Sequence, residues 1–290
     1  MTGRRTLLAA FASLPAFAAR HADATVPDGD ALTCACAATE ASLGGRLGVA
    51  VLDPASGRRA AYRGAERFPL CSTHKVLAAG CVLLRADRGQ DALDRRIAFT
   101  KAALVPYSPL TAPAAGTGGL TLGALCEAAV TVSDNTAANL LLEAIGGPAA
   151  LTAWLRTQGD GATRLDRTEP SLNEARPGDP RDTTTPAAMA GTLARLVLGD
   201  ALAPGSRALR AGWMVACRTG GQRLRAGLPA GWRAGDKTGS GDFATANDVA
   251  VIWPPERPPL VVAAYLTQSA APPAAGDAAL AAVGRSLAAW

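Results

Sequence analysis

Two of the chain's three lysines stand in short polar motifs beside serines. Ser72-Thr73-His74-Lys75 sets a hydroxyl and an amine three residues apart, which in a helix puts both on one face. A serine hydroxyl attacks well only when a neighbour takes its proton, and a desolvated lysine can do that. The free N–H groups at a helix start favour the negative charge that then develops. Ser133-Asp134-Asn135 offers a second hydroxyl to relay a proton to a leaving nitrogen, and an amide for a carbonyl. Lys237-Thr238-Gly239-Ser240 adds a cation and two hydroxyls around a glycine. The missing side chain lets a ligand lie against strand backbone, and the polar set suits a carboxylate. Taken singly, each motif is equally a helix cap, a polar turn or a strand end. Lysine usage adds weight: Lys101 is the only other lysine, and the remaining positive charge is arginine. Arginine cannot shed its proton in a protein, whereas a buried lysine can.

The elements around these motifs read clearly. An Ala-rich helix is expected over 31–43, a strand over 46–52, a turn at 53–57 and a returning strand over 59–63. A helical section then runs from about 72 to 212, with helix patterns at 76–86, 121–132, 136–145, 148–157 and 186–198. Strands resume at 232–237, 245–253 and 260–267, and a last helix covers 277–289. Strands, then helices, then strands and a helix predict an α+β fold. Its antiparallel sheet lobe would be built from both chain ends, 31–66 and 213–290, with an inserted all-helical lobe at 67–212.

The three motifs, in this order, are the set shared by class A β-lactamases and penicillin-binding proteins. The chain resembles that superfamily over essentially its whole length beyond residue 19. Arg167-Thr168-Glu169-Pro170-Ser171-Leu172-Asn173 resembles the class A signature. There a Glu and an Asn hold a water beside an ester on the serine, an arrangement the transpeptidases generally lack. Chemically, such an ester persists unless a base aims water at it, and Glu169 is the candidate base with Asn173 as second anchor. The resemblance implies hydrolysis of penicillins and cephalosporins through a Ser72 acyl-enzyme. Ser133 passes a proton to the ring nitrogen, and either Lys75 or Glu169 through a water is the acylation base. The substrate would meet Asn135, Lys237, Thr238 and Ser240, with an oxyanion hole at the Ser72 and Ser240 N–H groups. Slow release of bound penicillin would instead mark a peptidase or transpeptidase; a sensor or silent homologue would bind without turnover.

By the same resemblance, Tyr107 walls the cleft mouth. Arg223, preferred over Arg225, assists Lys237 with a carboxylate, since the position on the later strand that supplies this arginine in some relatives is Ala246 here. Residues 167–182 would form an Ω-loop; 16 residues is near the upper end of the roughly 6–16 usual for such loops. Arg167 and Asp182 would close its neck, with Asp179 and Arg181 as alternative partners. Cys71 also precedes the serine in relatives that hydrolyse carbapenems, but their partner cysteine is Gly241 here, so that disulfide is not expected. Cys126 matches half of another family disulfide; Cys81 lies two residues past its expected mate, and two free thiols are favoured. His74 stands where the family often has an aromatic residue.

The rest of the sequence narrows the field. With 49% hydrophobic but only 4% aromatic residues, the core must be mainly Ala, Leu and Val. The net charge of +5 comes from scattered arginines such as Arg58-Arg59 and Arg95-Arg96 with acids nearby, not from the basic run or aromatic stripe of a nucleic-acid surface. His21 and His74 share no local motif and no Cys-x-x-Cys exists, so neither a metal nor another cofactor is expected. Residues 1–19, with Arg4-Arg5, an apolar middle and small residues at the end, read as a cleaved export signal, of Sec or twin-arginine type. A monomer, periplasmic or secreted and without stable membrane association, is the expectation.

Overall fold

The computed structural model describes residues 28–290; residues 1–19, expected to be an export signal, lie outside them. In chain order, α1 (Asp28–Leu43) leads into β1 (Arg46–Leu52), β2 (Arg59–Tyr62) and the short β3 (Phe68–Pro69). The middle of the chain holds α2 (His74–Asp87), β4 (Arg96–Ile97), α3 (Thr111–Ala114), β5 (Leu120–Thr121), α4 (Leu122–Thr131), α5 (Asn135–Ile145) and α6 (Pro148–Thr157). Then come β6 (Thr183–Thr184), α7 (Pro186–Val197), α8 (Pro204–Val215), α9 (Leu224–Gly227), β7 (Arg233–Gly241), β8 (Thr245–Trp253), β9 (Leu260–Thr267) and α10 (Pro273–Ser286).

Five strands form one antiparallel sheet in the order β2-β1-β9-β8-β7. The fold is thus α+β, with an antiparallel sheet from both chain ends and helices between; the 67–212 lobe, expected to be all-helical, also holds two short strand pairs, β3 with β6 and β4 with β5. Strand alternation sends side chains to two cores. Leu47, Val49, Val51, Val262, Ala264 and Leu266 face one way, with Leu32, Leu280 and Val283 of α1 and α10. Ala50, Leu52, Val249, Val251, Ala263 and Tyr265 face the other, joining the cluster of α2, α4, α5 and α7. Covered on both faces, β9 is buried along its whole length, and its sequence is correspondingly an unbroken apolar run. Tight layering needs small residues: a side chain at Gly48 would fall 2.3 Å from the Phe68 ring.

Several boundaries move. The last strand before the final hairpin runs to Gly241, past the expected 237, carrying the whole Lys-Thr-Gly-Ser motif in β7. The final helix starts at Pro273 rather than 277, because Pro at the first turn needs no hydrogen-bonded N–H. The serine does not itself sit in an α-helix: Cys71–Thr73 is a 3₁₀ turn that feeds α2. Helix α8 was not among the expected helices. All six cysteines are free, Cys81 and Cys126 included. Among the described residues no helix is long and apolar enough to cross a membrane.

Candidate active site

Ser72, Ser133, Asn135, Thr238, Ser240, Tyr107, Arg223 and Asn173 line one cleft of about 350 Å³ between the sheet and the helices. Lys75, Lys237 and Glu169 lie behind this lining, hydrogen-bonded to Ser72 or Ser133, the two lysines fully buried and Glu169 only 2% exposed. Backbone strain collects here: Cys71, Tyr107 and Ser133 all have positive φ, the kind of outlier that persists where the surroundings fix it.

Lys75 is the hub. Its Nζ donates to Ser72 Oγ (2.9 Å), Ser133 Oγ (3.1 Å), the Ser133 carbonyl (2.9 Å) and Asn135 Oδ1 (2.6 Å), and lies 3.0 Å from Glu169 Oε1. Ser72 Oγ in turn donates to Glu169 Oε1 at 3.2 Å. Burial pushes the Lys75 amine down, against the pull of the Glu169 charge. Burial would raise the Glu169 carboxyl, but the Lys75 charge and hydrogen bonds from Lys75 and Asn173 outweigh it and hold the group below its usual range. The ionised pair is therefore both close and dry. On the far side Lys237 Nζ donates to Ser133 Oγ at 3.0 Å, so one hydroxyl bridges two amines. Burial first, then the Lys75 charge, lowers Lys237 to about 8.

Each group is fixed by its element. Asp134 caps α5 through the Ala137 N–H and also accepts from the Leu110 and Thr111 N–H groups and the Thr111 hydroxyl, all at 2.8–2.9 Å. That clamp seats Ser133 and the Tyr107 segment together, with the Asn135 N–H on the Tyr107 carbonyl. Tyr107 is 60% exposed at the cleft mouth. Arg223 crosses the sheet edge, donating to the Gly239 and Asn247 carbonyls and to Ser240 Oγ, while its Nε meets Asp277. Arg225 lies away from the cleft and pairs with Asp236. Arg167 Nε lies 2.6 Å from Asp182 Oδ2 across the loop neck, and Arg181 pairs with Asp179. Buried His74 is lowered to about 4 by desolvation, and its Nδ1 meets the Cys71 carbonyl at 2.9 Å. The Cys71 thiol faces Gly241.

Three further residues belong to the arrangement. Asn139, one turn after Asn135 on α5, takes the Glu169 N–H on Oδ1 and gives Nδ2 to the Glu169 carbonyl, both at 2.9 Å. A polar residue on an apolar helix face, four past a motif residue, was its sequence signal. Thr219 lines the cleft and hydrogen-bonds Thr238 at 2.5 Å, and Asp277 braces Arg223; neither carried a local signal. No group of three or more metal-ligating side chains exists among the described residues.

A serine beside a buried lysine and glutamate, where an antiparallel sheet meets a helical lobe, is the arrangement that a serine-dependent hydrolase or transferase requires. The chain belongs to the β-lactamase enzyme family, whose model matches residues 32–290, and within it to class A. An ancestral (GNCA) class A β-lactamase is 63% identical, with TM-score 0.88 over 89% of this chain and 99% of that one. PenP of Rhodopseudomonas palustris is 57% identical, also at 0.88, over 90% of this chain and 99% of that one. Toho-1 of Escherichia coli is 48% identical over 91% of this chain and 90% of that protein.

Proposed function

We propose that this chain hydrolyses the lactam ring of penicillins and cephalosporins, conferring β-lactam resistance, through an ester on Ser72 that a Glu169-activated water cleaves. The observation that carries it is the placement of Ser72 Oγ within 2.9 Å of Lys75 Nζ and 3.2 Å of Glu169 Oε1. Glu169 stands within proton-transfer reach of the nucleophile as a base, and Lys75 becomes one once its own proton has moved on. In acylation Ser72 Oγ bonds to the lactam carbonyl carbon, its proton leaves to Lys75 or through water to Glu169, and the C–N bond breaks. Ser133 passes a proton to the freed nitrogen and is re-protonated from the flanking lysines. The Ser72 and Ser240 N–H groups hold the oxyanion; losing one such donor typically costs about 10²–10³ in rate. Lys237, Thr238, Ser240 and Arg223 receive the substrate carboxylate, and Asn135 the amide of the acyl side chain.

In deacylation a water gives its proton to Glu169, its oxygen bonds to the ester carbon, and Ser72 leaves with a proton restored. Asn173 supports this role: its Nδ2 holds Glu169 Oε2 at 2.5 Å, while its buried Oδ1 has no partner among the described residues, an acceptor for the attacking water. Export by the Arg4-Arg5 leader, for work as a periplasmic or secreted monomer, completes the reading.

Mass spectrometry during turnover of benzylpenicillin and a chromogenic cephalosporin tests it. Wild type should turn over many times with little adduct, and Glu169→Ala should accumulate a stable adduct on Ser72. A wild type that stops after one equivalent with the drug attached would make this a penicillin-binding protein or sensor instead.

A further inference from the structure

Beside the cleft, sharing Arg223 and Ser240 with it, lies a second cavity of about 220 Å³ between the β7–β8 edge and the start of α10. It is open because Ala246 contributes only a methyl and Gly276 no side chain. Its walls mix apolar surface, from Ala246, Ala271 and the rim residues Pro272 and Pro273, with the hydroxyl-bearing Thr245 and Ser269, and among the described residues its charged lining groups are Arg223 and Asp277. Those two are unequally placed. Arg223 is 11% exposed and committed to two carbonyls, Ser240 Oγ and Asp277 Oδ1. Asp277 is 34% exposed, and its Oδ2 takes no hydrogen bond among the described residues.

We propose that this cavity receives the C3 substituent of cephalosporins, and that Asp277 makes it selective for substituents carrying a positive charge. The inference rests on the β-lactamase reading above. The C4 carboxylate of a cephalosporin, held by Lys237 and Arg223, fixes the direction of the neighbouring C3 arm, which leaves the ring on the Arg223 side. Once the substrate carboxylate engages Arg223, the local charge falls by one and Asp277 is left as the uncompensated group. An arm with a flat apolar body and a cationic centre then matches both the wall and the carboxylate. An anionic arm meets Asp277 and the substrate's own carboxylate together. Penicillins, with no such arm, leave the cavity unused.

The test compares two cephalosporins with the same thienylacetyl side chain, one with a neutral acetoxymethyl and one with a pyridiniomethyl group at C3, with benzylpenicillin as control. The ratio of kcat/KM, cationic over neutral, should fall about fivefold in Asp277→Asn, the size expected of one partly exposed charge pair. It should also shrink as salt is raised. Any disturbance of Arg223 by the substitution strikes all three substrates and cancels in the ratio. Ala271→Phe, which fills the cavity from its rim, should slow both cephalosporins about tenfold relative to benzylpenicillin. A ratio within twofold of wild type in Asp277→Asn overturns the charge selectivity, and an Ala271→Phe enzyme without cephalosporin loss overturns the placement of the arm. If no β-lactam turns over, the hydrolase reading fails and takes this one with it. If benzylpenicillin and the neutral cephalosporin turn over without charge discrimination, this inference alone fails.

Discussion

Arg167 Nε and Asp182 Oδ2 lie 2.6 Å apart, joining the two ends of the loop that carries Glu169. The other Asp182 oxygen accepts from the Asp166 and Arg167 N–H groups at 2.7 and 2.9 Å, so one buried carboxylate ties three donors. Asp182→Asn would set an amide N–H against the guanidinium and loosen that knot. Because Glu169 hangs from this frame, the effect belongs in turnover: a displacement of about 1 Å can cost roughly a hundredfold. We expect kcat on benzylpenicillin to fall at least about tenfold and the preference between small and bulky acyl side chains to change. Unchanged kinetics across several such substrates would rule this out.

Lys237 should give the enzyme an alkaline limit. Burial and the Lys75 charge lower it to about 8, so the free enzyme holds the ammonium below that pH and loses it above. The profile of kcat/KM reports the free enzyme's groups, and should decline through an apparent pKa near 8 as carboxylate recognition is lost. Lys237→Arg keeps its charge across this range. Whatever its absolute rate, it should lack that limb or move it upward. An identical limb in Lys237→Arg would assign the titration to another group, Lys75 first.

The parts of the fold that were legible are those where one periodicity rules. Strands 46–52 and 260–267 read true because nearly continuous apolar runs bounded by turns mark buried strands, and 245–253 through its apolar second half, Val249 to Trp253. Helix α8 escaped because Arg207, Arg210 and the glycines at 205 and 212 interrupt its apolar stripe, and only the packed lobe shows that Arg210 faces inward. Among the site residues, Ser72, Lys75, Ser133 and Lys237 were visible through fixed local spacing. Asn139 offered only its polar side chain on an apolar helix face, and Thr219 and Asp277 offered nothing, since each acts on a group from a distant element: Asn139 on Glu169, 30 residues on, and Asp277 on Arg223, 54 residues back. Such pairings exist only once the lobes close.

Arg210 sits at zero exposure in α8, and Nε and both Nη atoms lack a partner among the described residues. Burial alone pushes it down to about 9. Its guanidinium packs against Gly80 of α2, where a Cβ would lie 2.9 Å from Arg210 Nη1 and 3.2 Å from Leu196 of α7. An uncompensated buried cation is costly, and even a buried ion pair is often replaced by apolar groups of similar volume with no loss or with a gain of about 1–4 kcal/mol. Arg210→Leu or Arg210→Met should therefore raise the melting temperature by several degrees while leaving kcat on benzylpenicillin unchanged. A lower melting temperature for both would show that the guanidinium makes interactions of net benefit.

Gly241 holds the gap between β7 and the Glu169 loop. A Cβ there would lie 2.6 Å from the Asn173 carbonyl oxygen and 2.7 Å from Cys71 Sγ, closer than such atoms approach, and neither neighbour can simply swing aside. The Asn173 carbonyl is also pinned by the Asp242 N–H at 2.9 Å. Gly241→Ala must therefore push the Asn173 segment outward, and Asn173 Nδ2 is the group that holds Glu169 Oε2. Deacylation should suffer before acylation, because the contact with Asn173 is to the backbone that leads to Glu169, whereas the contact beside Ser72 is to the Cys71 side chain. We expect kcat on benzylpenicillin to fall about tenfold or more, with the acyl-enzyme now visible by mass at steady state. A fall in kcat without adduct would place the damage in acylation, and no fall would mean that the loop yields without moving Glu169.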